Sequence, residues 1–345
     1  MADDSTRSNI DVVIYWVDGS DEAWLKKKAE YSPSSNADMD PSRYRDTETL
    51  KYLFRGIDKY MPWVRNVFFV SDGQIPNWLD TGASKLKIVD HKDYIPSEYL
   101  PVFSSHPIEL NFHRIRDLGE EFIVFNDDFI ATAPMSPEDF FVDGKPRDIF
   151  MEYPIMCGGK TPAFSSILAN TYNLVGRHFQ RSEYKKRLKG KILSLKYGKY
   201  FFYNLMMYAL PFPKFFGLLT PHFARPYLKS VFEEVWKEEG EALDKVCHNR
   251  FRTSEDINIY AMRMWNLMKG NFVPGNIHKD GKAYLLTNID DAKAASADIR
   301  SNRRKLICIN DDLSEKDFDE AKKILLGALE EVLPSKSSFE KGEAL

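Results

Sequence analysis

Short apolar segments alternate with amphipathic segments through the first 130 residues of this 345-residue chain. The apolar segments are rich in β-branched and aromatic residues, as strands are, whereas the amphipathic segments repeat their apolar residues at the spacing of a helix. This alternation is typical of a mostly parallel central sheet flanked by helices, and it predicts an α/β fold. Strands are predicted in 10–21 (running into a loop), 64–73, 85–91 and 122–125, and helices in 22–31, 46–61 and 104–119.

Acidic residues stand at or just beyond the end of each of these strands. They are Asp18, Asp72, Asp90 and the pair Asp127–Asp128. In open sheets of parallel strands, ligands bind beyond the carboxyl ends of the strands. One acid at a strand end is unremarkable, but acids at four successive strand ends predict a cleft that holds a cation or a polyhydroxy ligand.

The segment FIVFNDDFI (122–130) carries the most specific of these acidic motifs. A hard cation such as Mg²⁺ takes oxygen ligands, often one or two carboxylates together with substrate phosphates. Because successive side chains of a strand point in opposite directions, one carboxylate can face a metal while its neighbour supports the loop. An ordinary turn is the alternative, since Asn and Asp are favoured in turns. The motif alone does not separate these two interpretations.

Charge and cysteine content narrow the class of protein. The net charge of −3 argues against nucleic acid as the main partner. Cys157, Cys247 and Cys308 are odd in number and far apart, which disfavours a disulfide framework or a structural zinc site and is natural for a reducing cytosol. Residues 1–9 are polar, lack the features of a signal peptide and are predicted to be disordered. The most apolar stretch, 200–219, is interrupted by two prolines and a lysine, so no membrane-spanning helix is predicted.

The middle of the chain carries a concentrated positive charge. Residues 176–214 contain ten Lys or Arg and a single acid, with aromatic residues interleaved, and we predict a helical insertion over about 176–220. Such a segment can lie in the interface of an anionic membrane, with cations on phosphates and aromatic rings at the boundary. The alternative is an ordinary helical insertion with a solvated basic face.

The remaining sequence predicts one continuous domain and a short C-terminal extension. Helices are predicted in 225–243 and 253–272 and a strand in 305–311, so that one domain covers 10–312, followed by a helix in 313–334 and a flexible tail in 335–345.

Several basic and polar residues could contact an anionic ligand. They are Arg43, which precedes the natural N-cap Asp46; His113 and Arg114, near the end of a predicted helix; His222, in a proline-flanked loop; and Arg250 and Arg252, just before the predicted helix 253–272. Free N–H groups at that helix start, with the arginines beside them, would form an anion site. Each residue also has an ordinary interpretation as a cap, a surface arginine or a structural histidine.

Taken in order, these segments resemble the four conserved blocks of the Stealth family. The first two blocks are similar to IDVVIYWVDGSD, SRYRDTETLKYLFRGIDKYMPWVRNVFFVSDGQIPNWL, VDHKDYIPSEYLPVFSSHPIELNFHRI and FIVFNDD. The third is similar to LTPHFARPYL and HNRFRTSEDINIYAMRMW, and the fourth to KLICINDD, so the resemblance runs from residue 10 to residue 312. That family includes bacterial capsule and exopolysaccharide sugar-1-phosphate transferases and the catalytic part of animal GlcNAc-1-phosphotransferase.

The resemblance implies a fold and a reaction. The fold would be that of a nucleotide-diphospho-sugar transferase of the glycosyltransferase-A kind. A UDP-hexose or UDP-N-acetylhexosamine would donate its sugar 1-phosphate to a hydroxyl of a growing, lipid-linked glycan, forming a phosphodiester and releasing UMP. The cofactor would be Mg²⁺ or Mn²⁺, and the location would be the cytoplasm or the inner face of the bacterial plasma membrane.

The resemblance also implies roles for individual residues. Asp127, Asp128 and Asp311 would bind the metal, His222 would act as general base with Asp46 as the second candidate, and Arg252 would stabilise charge on the phosphates, with Asp128 counted among the catalytic groups. Substrate contacts would come from Asp18, Gly19, Arg43, Asn126, His113, Arg114, Arg250 and Asn310.

The sequence departs from the family's pattern at two places. Arg45-Asp46-Thr47 stands where the animal enzyme has an acidic residue, Asp and Asn, and Ala224-Arg225 stands where the third block usually continues with Tyr-Met or similar. These departures favour a bacterial polysaccharide enzyme and leave the donor sugar open. Two alternatives remain: a conventional metal-dependent glycosyltransferase that releases UDP, and a non-catalytic glycan-binding partner of an assembly complex.

Overall fold

The structure, a computed structural model, describes residues 8–32, 45, 47–155 and 162–342, so Arg43 and Asp46 lie outside the described residues. Its strands are β1 (Asp11–Tyr15), β2 (Val67–Ser71), β3 (Leu86–Asp90), β4 (Glu121–Asn126), β5 (Phe129–Ala131), β6 (Phe141–Val142), β7 (Lys145–Asp148), β8 (Arg225–Leu228), β9 (Val273–Pro274), β10 (Gly281–Leu286) and β11 (Leu306–Asp311). Its helices are α1 (Glu22–Tyr31), α2 (Leu50–Tyr60), α3 (Ser105–Leu110), α4 (Pro162–Gly176), α5 (Arg181–Arg187), α6 (Lys189–Ile192), α7 (Tyr200–Ala209), α8 (Lys229–Cys247), α9 (Tyr260–Lys269), α10 (Ile277–Asp280), α11 (Ile289–Ser301) and α12 (Glu315–Val332).

The largest sheet contains the four strands that are predicted in the first 130 residues, together with β8. Its order is β3-β2-β1-β4-β8. The first four strands pair in parallel, and β8 joins β4 in the antiparallel direction. Val12, Val13 and Ile14 of β1 are completely buried, as expected for a parallel strand that is covered on both faces. The prediction of an α/β fold with a mostly parallel central sheet is confirmed.

A second sheet is joined to the first by a two-residue connection. Strand β5 pairs antiparallel with β11, which in turn pairs parallel with β10. Helix α2 approaches β5 closely at Gly56, where a Cβ atom would lie 2.5 Å from the carbonyl oxygen of Ala131. Since β4 and β5 are separated only by Asp127 and Asp128, the chain passes from one sheet to the other at the acidic motif. A third, small sheet has the order β6-β7-β9.

Two predicted helices are shorter than the sequence pattern indicates. Helix α3 ends at Leu110 rather than near 119, because the Asn111 side chain donates back to the Pro107 carbonyl at 2.8 Å and competes with helix continuation. Helix α9 begins at Tyr260 rather than at 253, because the carboxylate of Asp256 instead folds the preceding segment into a turn. The predicted anion site at a helix start beside Arg250 and Arg252 is therefore wrong.

The predicted helix 225–243 contains a strand in its first four residues. Arg225 to Leu228 form β8, with Pro226 on the edge of the sheet, where the missing N–H of proline is tolerated. Helix α8 follows from Lys229 to Cys247.

The segment 176–220, predicted as a helical insertion, contains α5, α6 and α7, and part of its positive charge faces inward. Arg181 is 1% exposed and forms an ion pair of 2.6 Å with Glu152. Lys191 donates to the carbonyls of Gly270 and Phe272, just beyond the end of α9. These contacts dock the insertion on the domain.

The C-terminal segment packs on the main sheet's helix α2 instead of forming a flexible tail. Phe339 is 1% exposed, and the Glu340 carboxylate lies 2.8 Å from the Arg55 guanidinium of α2. The Lys341 amide donates to the Trp78 carbonyl at 2.9 Å. The predicted tail is thus wrong for residues 335–342, because one buried aromatic ring and one buried ion pair hold this polar segment. None of the described helices combines the length and the apolar character needed to cross a bilayer.

Candidate active site

The two Asn-Asp motifs of the chain meet where the first sheet joins the second. The amide of Ile309 on β11 donates to the Asp128 carbonyl at 2.9 Å, and Cys308 pairs with Phe129. This register brings Asn310 and Asp311 to the same cleft as Asn126 and Asp127. The strand pairing thus explains why Asn-Asp recurs in two segments far apart in the sequence.

A cavity of about 420 Å³ lies at this junction, beyond the carboxyl ends of β1 and β4. The position agrees with the binding edge expected for an open parallel sheet. Polar and aromatic side chains dominate the wall, which includes Tyr15, Trp16, Trp24, Arg45, Asp72, His91, Ser105, Asn126, Asp127, Asp128, His222, Arg252, Asn310 and Asp311. Seven predicted site residues line this one cleft, namely Asn126, Asp127, Asp128, His222, Arg252, Asn310 and Asp311.

Asp128 lies at the centre of this polar group. Its Oδ2 atom is 3.1 Å from His222 Nε2 and 3.2 Å from Cys308 Sγ, whereas its buried Oδ1 atom has no hydrogen-bond partner among the described residues. Burial raises the pKa of the Cys308 thiol, and the adjacent Asp128 carboxylate raises it further, so the thiol stays protonated and can donate to Asp128. A buried carboxylate oxygen without a donor is suited to a cation.

Asp311 differs from the ligand that the sequence predicts. Its Oδ1 atom accepts the Leu313 amide at 2.9 Å, and its Oδ2 atom lies 2.9 Å from Arg45, whose guanidinium also donates to the Leu313 carbonyl. Oδ1 is therefore hydrogen-bonded, whereas Oδ2 lies at ion-pair distance from Arg45 without a hydrogen-bond partner among the described residues. Asp311 thus already has the Arg45 cation beside it in the wall of the cavity, whereas the Oδ1 atom of Asp128 has no partner among the described residues, which makes Asp128 the better candidate for holding a metal.

Arg252 projects from a loop that is organised by a buried acid. Asp256, completely buried, accepts hydrogen bonds from His106 Nδ1 at 2.8 Å, from the Thr253 amide at 3.1 Å and from Asn249 Nδ2 at 2.8 Å. Burial by itself would raise the pKa of Asp256, but the hydrogen bonds from His106 and Thr253 outweigh it and lower that pKa. Arg252 Nη2 lies 3.2 Å from Ser105 Oγ, and its buried Nε has no described acceptor. The loop thus presents an available cationic donor to the cavity.

Five predicted substrate contacts lie elsewhere. Asp18 closes a turn by accepting from the Ser20 amide and hydroxyl, with Gly19 inside that turn. His113 packs against Phe232 and Trp236, and Arg114 stacks on Trp236. Arg250 is exposed and stacks on Tyr31, 5.1 Å from the ring centroid. None of these five lines the cavity, because local turns and aromatic packing engage them.

Several residues of the site have no motif that marks them in the sequence. The Tyr15 hydroxyl lies 2.6 Å from Glu109 Oε1 and 3.0 Å from Asn126 Oδ1, so it fixes the first residue of the acidic motif. His106 pairs with Asp256 across 150 positions of sequence. The pattern Thr253…Asp256 is visible as a capping signal, but its partner His106 is a long-range contact that no local pattern predicts.

The buried His91 and the half-buried His113 should make the fold sensitive to mild acid. Burial lowers the pKa of His91 to about 4 and that of His113 to about 3, below the usual 6.5. The unfolded chain therefore takes up protons as the pH falls below 6.5, while the folded chain does not until the pH approaches 4. Each histidine should lower the free energy of unfolding by about 2 kcal/mol between pH 7 and pH 5.

Urea unfolding at these two pH values checks this expectation. His113→Phe, which keeps an aromatic ring against Phe232 and Trp236, should reduce the loss of stability between pH 7 and pH 5 by about half. Equal stability of the unmodified protein at both pH values would show that the histidines are not protected from protonation.

Comparison with known proteins defines the class to which the chain belongs. It is 37% identical to the capsular polysaccharide phosphotransferase WcwK of Streptococcus pneumoniae, with 97% of this chain and 99% of that protein covered. It is 39% identical to the exopolysaccharide phosphotransferase cps2G of Lactiplantibacillus plantarum, with 96% of each covered. It is 36% identical to the receptor polysaccharide phosphotransferase WefC of Streptococcus gordonii, with 96% of this chain and 98% of that protein covered. The chain is an enzyme of this phosphotransferase class.

The family follows from the conserved regions. The profile of Stealth protein CR1, conserved region 1, matches residues 8–36; that of CR2, conserved region 2, matches 43–148; and that of CR4, conserved region 4, matches 297–345. The chain belongs to the Stealth family, as the sequence motifs predict. The glycosyltransferase GlyE of Streptococcus pneumoniae TIGR4 aligns with a TM-score of 0.24 at 10% identity, covering 90% of this chain and 78% of that one, which is too low to assign the fold.

Proposed function

We propose that this enzyme transfers a hexose 1-phosphate or N-acetylhexosamine 1-phosphate from a UDP-sugar to a hydroxyl of a growing capsular or exopolysaccharide glycan. The acceptor oxygen attacks the β-phosphorus, the bond from that phosphorus to the bridging oxygen breaks, and UMP leaves. The convergence of Asp127, Asp128, His222 and Arg252 on one cavity carries the proposal. Phosphoryl transfer depends mainly on positioning and on charge stabilisation, which are what this group of side chains can provide.

The proposed roles follow from the chemistry of each side chain. His222 takes the proton of the acceptor hydroxyl, since an imidazole accepts protons near neutral pH and this one lies in the cavity beside Asp128. The Arg252 guanidinium, with its Nε free of described acceptors, binds phosphate oxygens as negative charge develops. Asp46 remains the second candidate for the base and lies outside the described residues.

A divalent cation, Mg²⁺ or Mn²⁺, fits the acidic residues. Asp127 and Asp128 would hold it, and the unpartnered Oδ1 atom of Asp128 is a suitable oxygen ligand. When bound, the cation supplies positive charge against the diphosphate. The mostly parallel sheet, with the acidic motif at its binding edge, also favours the proposed glycosyltransferase-A-like fold.

The nucleotide that is released tests the proposed function. Purified protein with Mg²⁺ should release UMP from one of UDP-GlcNAc, UDP-Glc, UDP-Gal or UDP-GalNAc, and the glycan product should retain phosphorus. Release of UDP with a phosphorus-free product would indicate conventional glycosyl transfer. Glycan binding without turnover of any nucleotide sugar would indicate a binding partner.

Removal of divalent cations should abolish turnover without unfolding the protein. EDTA followed by gel filtration should reduce UMP release to background, and Mg²⁺ or Mn²⁺ should restore it, since charge on the diphosphate is then neutralised again. Circular dichroism should be unchanged throughout, because the proposed ligands Asp127 and Asp128 line the cavity and are not part of the hydrophobic core. Full activity in the presence of EDTA would contradict the proposed cofactor.

We also propose that the insertion rests on an anionic membrane that carries the lipid-linked acceptor. Helix α7 exposes an apolar stripe at helical spacing, formed by Phe202 (72% exposed), Leu205 (46%), Met206 (52%) and Ala209. The same insertion carries exposed lysines at positions 186, 189, 196, 199 and 214. A solvated basic face accounts for the lysines but not for the apolar stripe. The combination matches a helix that inserts apolar side chains among lipid headgroups while its cations pair with phosphates.

Vesicle binding measures this contact. Phe202→Glu should weaken binding to phosphatidylglycerol-containing vesicles about tenfold, because burial of one phenylalanine side chain contributes ~1.5–3 kcal/mol. Leu285→Glu is the matched control, since Leu285 is 57% exposed but lies on β10 of the second sheet and not on the insertion. This variant should bind vesicles like the unmodified protein. Equal loss of vesicle binding in both variants, or unchanged binding by Phe202→Glu, would show that this surface does not contact the membrane.

A further inference from the structure

A second cavity of about 440 Å³ adjoins the first and shares part of its wall. Both cavities are lined by Tyr15, Ser105, Asn126, His222, Arg252 and Asn310. His222 and Arg252, two of the residues with proposed chemical roles, therefore stand between the two cavities. The first cavity also contacts the ends of β1 and β2, where a nucleotide sits in open α/β sheets. If the donor occupies the first cavity, the second lies on the opposite side of the reacting groups.

Arg225 gives the second cavity an unusual electrostatic character. It lies on β8, is 5% exposed and lines this cavity but not the first. Its Nε and Nη1 atoms have no hydrogen-bond partner among the described residues, and Nη2 reaches only the Tyr260 hydroxyl at 3.3 Å. The guanidinium stacks on the Tyr260 ring at 4.2 Å. A buried guanidinium with two unused donors lacks the compensation that buried charges ordinarily require.

The nearby acids are engaged with other partners. Asp148 forms two hydrogen bonds with Arg263, at 2.6 and 2.8 Å. Glu109, which also lines the second cavity, accepts a hydrogen bond from the Tyr15 hydroxyl. That hydroxyl also contacts Asn126 of the acidic motif. No ion pair joins Arg225 to an acid within the described part of the chain. An external anion is therefore the missing partner that the local chemistry indicates.

We propose that the second cavity binds the acceptor glycan and that Arg225 recognises an anionic group, a phosphate or a carboxylate, on that glycan. Guanidinium groups bind both anions through paired, charge-assisted hydrogen bonds. The inference rests on the proposed function for the position of the donor. It also predicts acceptor specificity: the enzyme should bind acceptors that carry a sugar phosphate or a uronic acid more tightly than neutral acceptors.

The binding of small sugars, measured while UMP occupies the first cavity, tests this preference for anionic acceptors. With UMP and Mg²⁺ saturating, isothermal titration should show that glucose 6-phosphate or glucuronate binds at least tenfold more tightly than glucose. Whichever of the two is bound more tightly identifies phosphate or carboxylate as the preferred group. Arg225→Gln should reduce the preference to less than twofold, and Arg225→Lys should keep part of it. No preference for either anionic sugar, or a preference unchanged in Arg225→Gln, would overturn the proposal.

Variants of Phe164, at the rim of the second cavity, test the proposal even if the Arg225 variants do not fold. Phe164 lines the same cavity and is 43% exposed, so a charge placed there should not disturb the core. Phe164→Glu should weaken binding of the anionic sugar several-fold, while Phe164→Lys should not; equal binding by both would overturn the proposal. Release of UDP in place of UMP by the unmodified protein would refute the proposed function while leaving the anion preference measurable.

Discussion

Asp128→Asn should lower the rate of UMP release by about a thousandfold, corresponding to ~4 kcal/mol of transition-state stabilisation. The substitution keeps the shape of the side chain but removes the negative charge that faces His222 and the proposed cation. The free energy of unfolding should change little, because asparagine can keep its amide oxygen toward His222 and Cys308 and place its NH2 group where Oδ1 has no described partner. Initial rates with a UDP-sugar and urea unfolding curves measure the two effects separately.

Asp290→Asn is the matched control for this change. Asp290 lies on α11, its side chain is 88% exposed, and it pairs only with Lys293 on the same helix within the described structure. Its removal should leave the rate as it is in the unmodified protein. An Asp128→Asn variant that retains a tenth or more of the activity would remove Asp128 from the reaction.

Asp256→Ala should lower the free energy of unfolding by about 3–5 kcal/mol, because it leaves buried donors without their acceptor. His106 Nδ1, the Thr253 amide and Asn249 Nδ2 all donate to this carboxylate. Activity should also fall at temperatures where the variant is still folded, because the loop that carries Arg252 loses its support. Thermal unfolding and turnover at low temperature distinguish the two losses.

The neighbouring acid provides the control for Asp256. Glu255 lies next to Asp256 but forms an exposed ion pair with Lys245, with side-chain exposures of 68% and 74%. Exposed pairs contribute little because water screens them, so Glu255→Ala should unfold like the unmodified protein. If both variants lost the same stability, the hydrogen bonds of Asp256 would not be what holds the loop.

The parts of the fold that depend on local patterns could be predicted from the sequence. Strands β1 to β4, strand β11 and helix α1 follow from residue spacing, and the acids at the strand ends could be placed on one edge because parallel strands end together. Membership in the Stealth family is confirmed because its motifs are long and contiguous. Asn126, Asp127, Asp128, His222, Arg252, Asn310 and Asp311 do line one cavity, as the family resemblance implies.

The predictions that failed depend on contacts between distant segments. His113 and Arg114 stand next to each other in a motif, but aromatic packing against α8 engages both. The segment 253–259 has a helical pattern, but Asp256 binds His106 from another part of the chain. Arg225 appears as a departure from the family pattern, and only the cavity that it lines gives that departure a chemical meaning. Side-chain partners across more than 100 residues leave no periodic signal.

The fate of the β-phosphorus tests the central claim most directly. The protein should be incubated with Mg²⁺ and UDP-sugars that carry ³²P at the β-phosphate, first with glycan acceptor and then with water as the only acceptor. The proposed reaction places the label in the glycan, or in sugar 1-phosphate when water attacks, and leaves the UMP unlabelled. Label recovered in UDP, with a product free of phosphorus, would show attack at the anomeric carbon and contradict sugar 1-phosphate transfer.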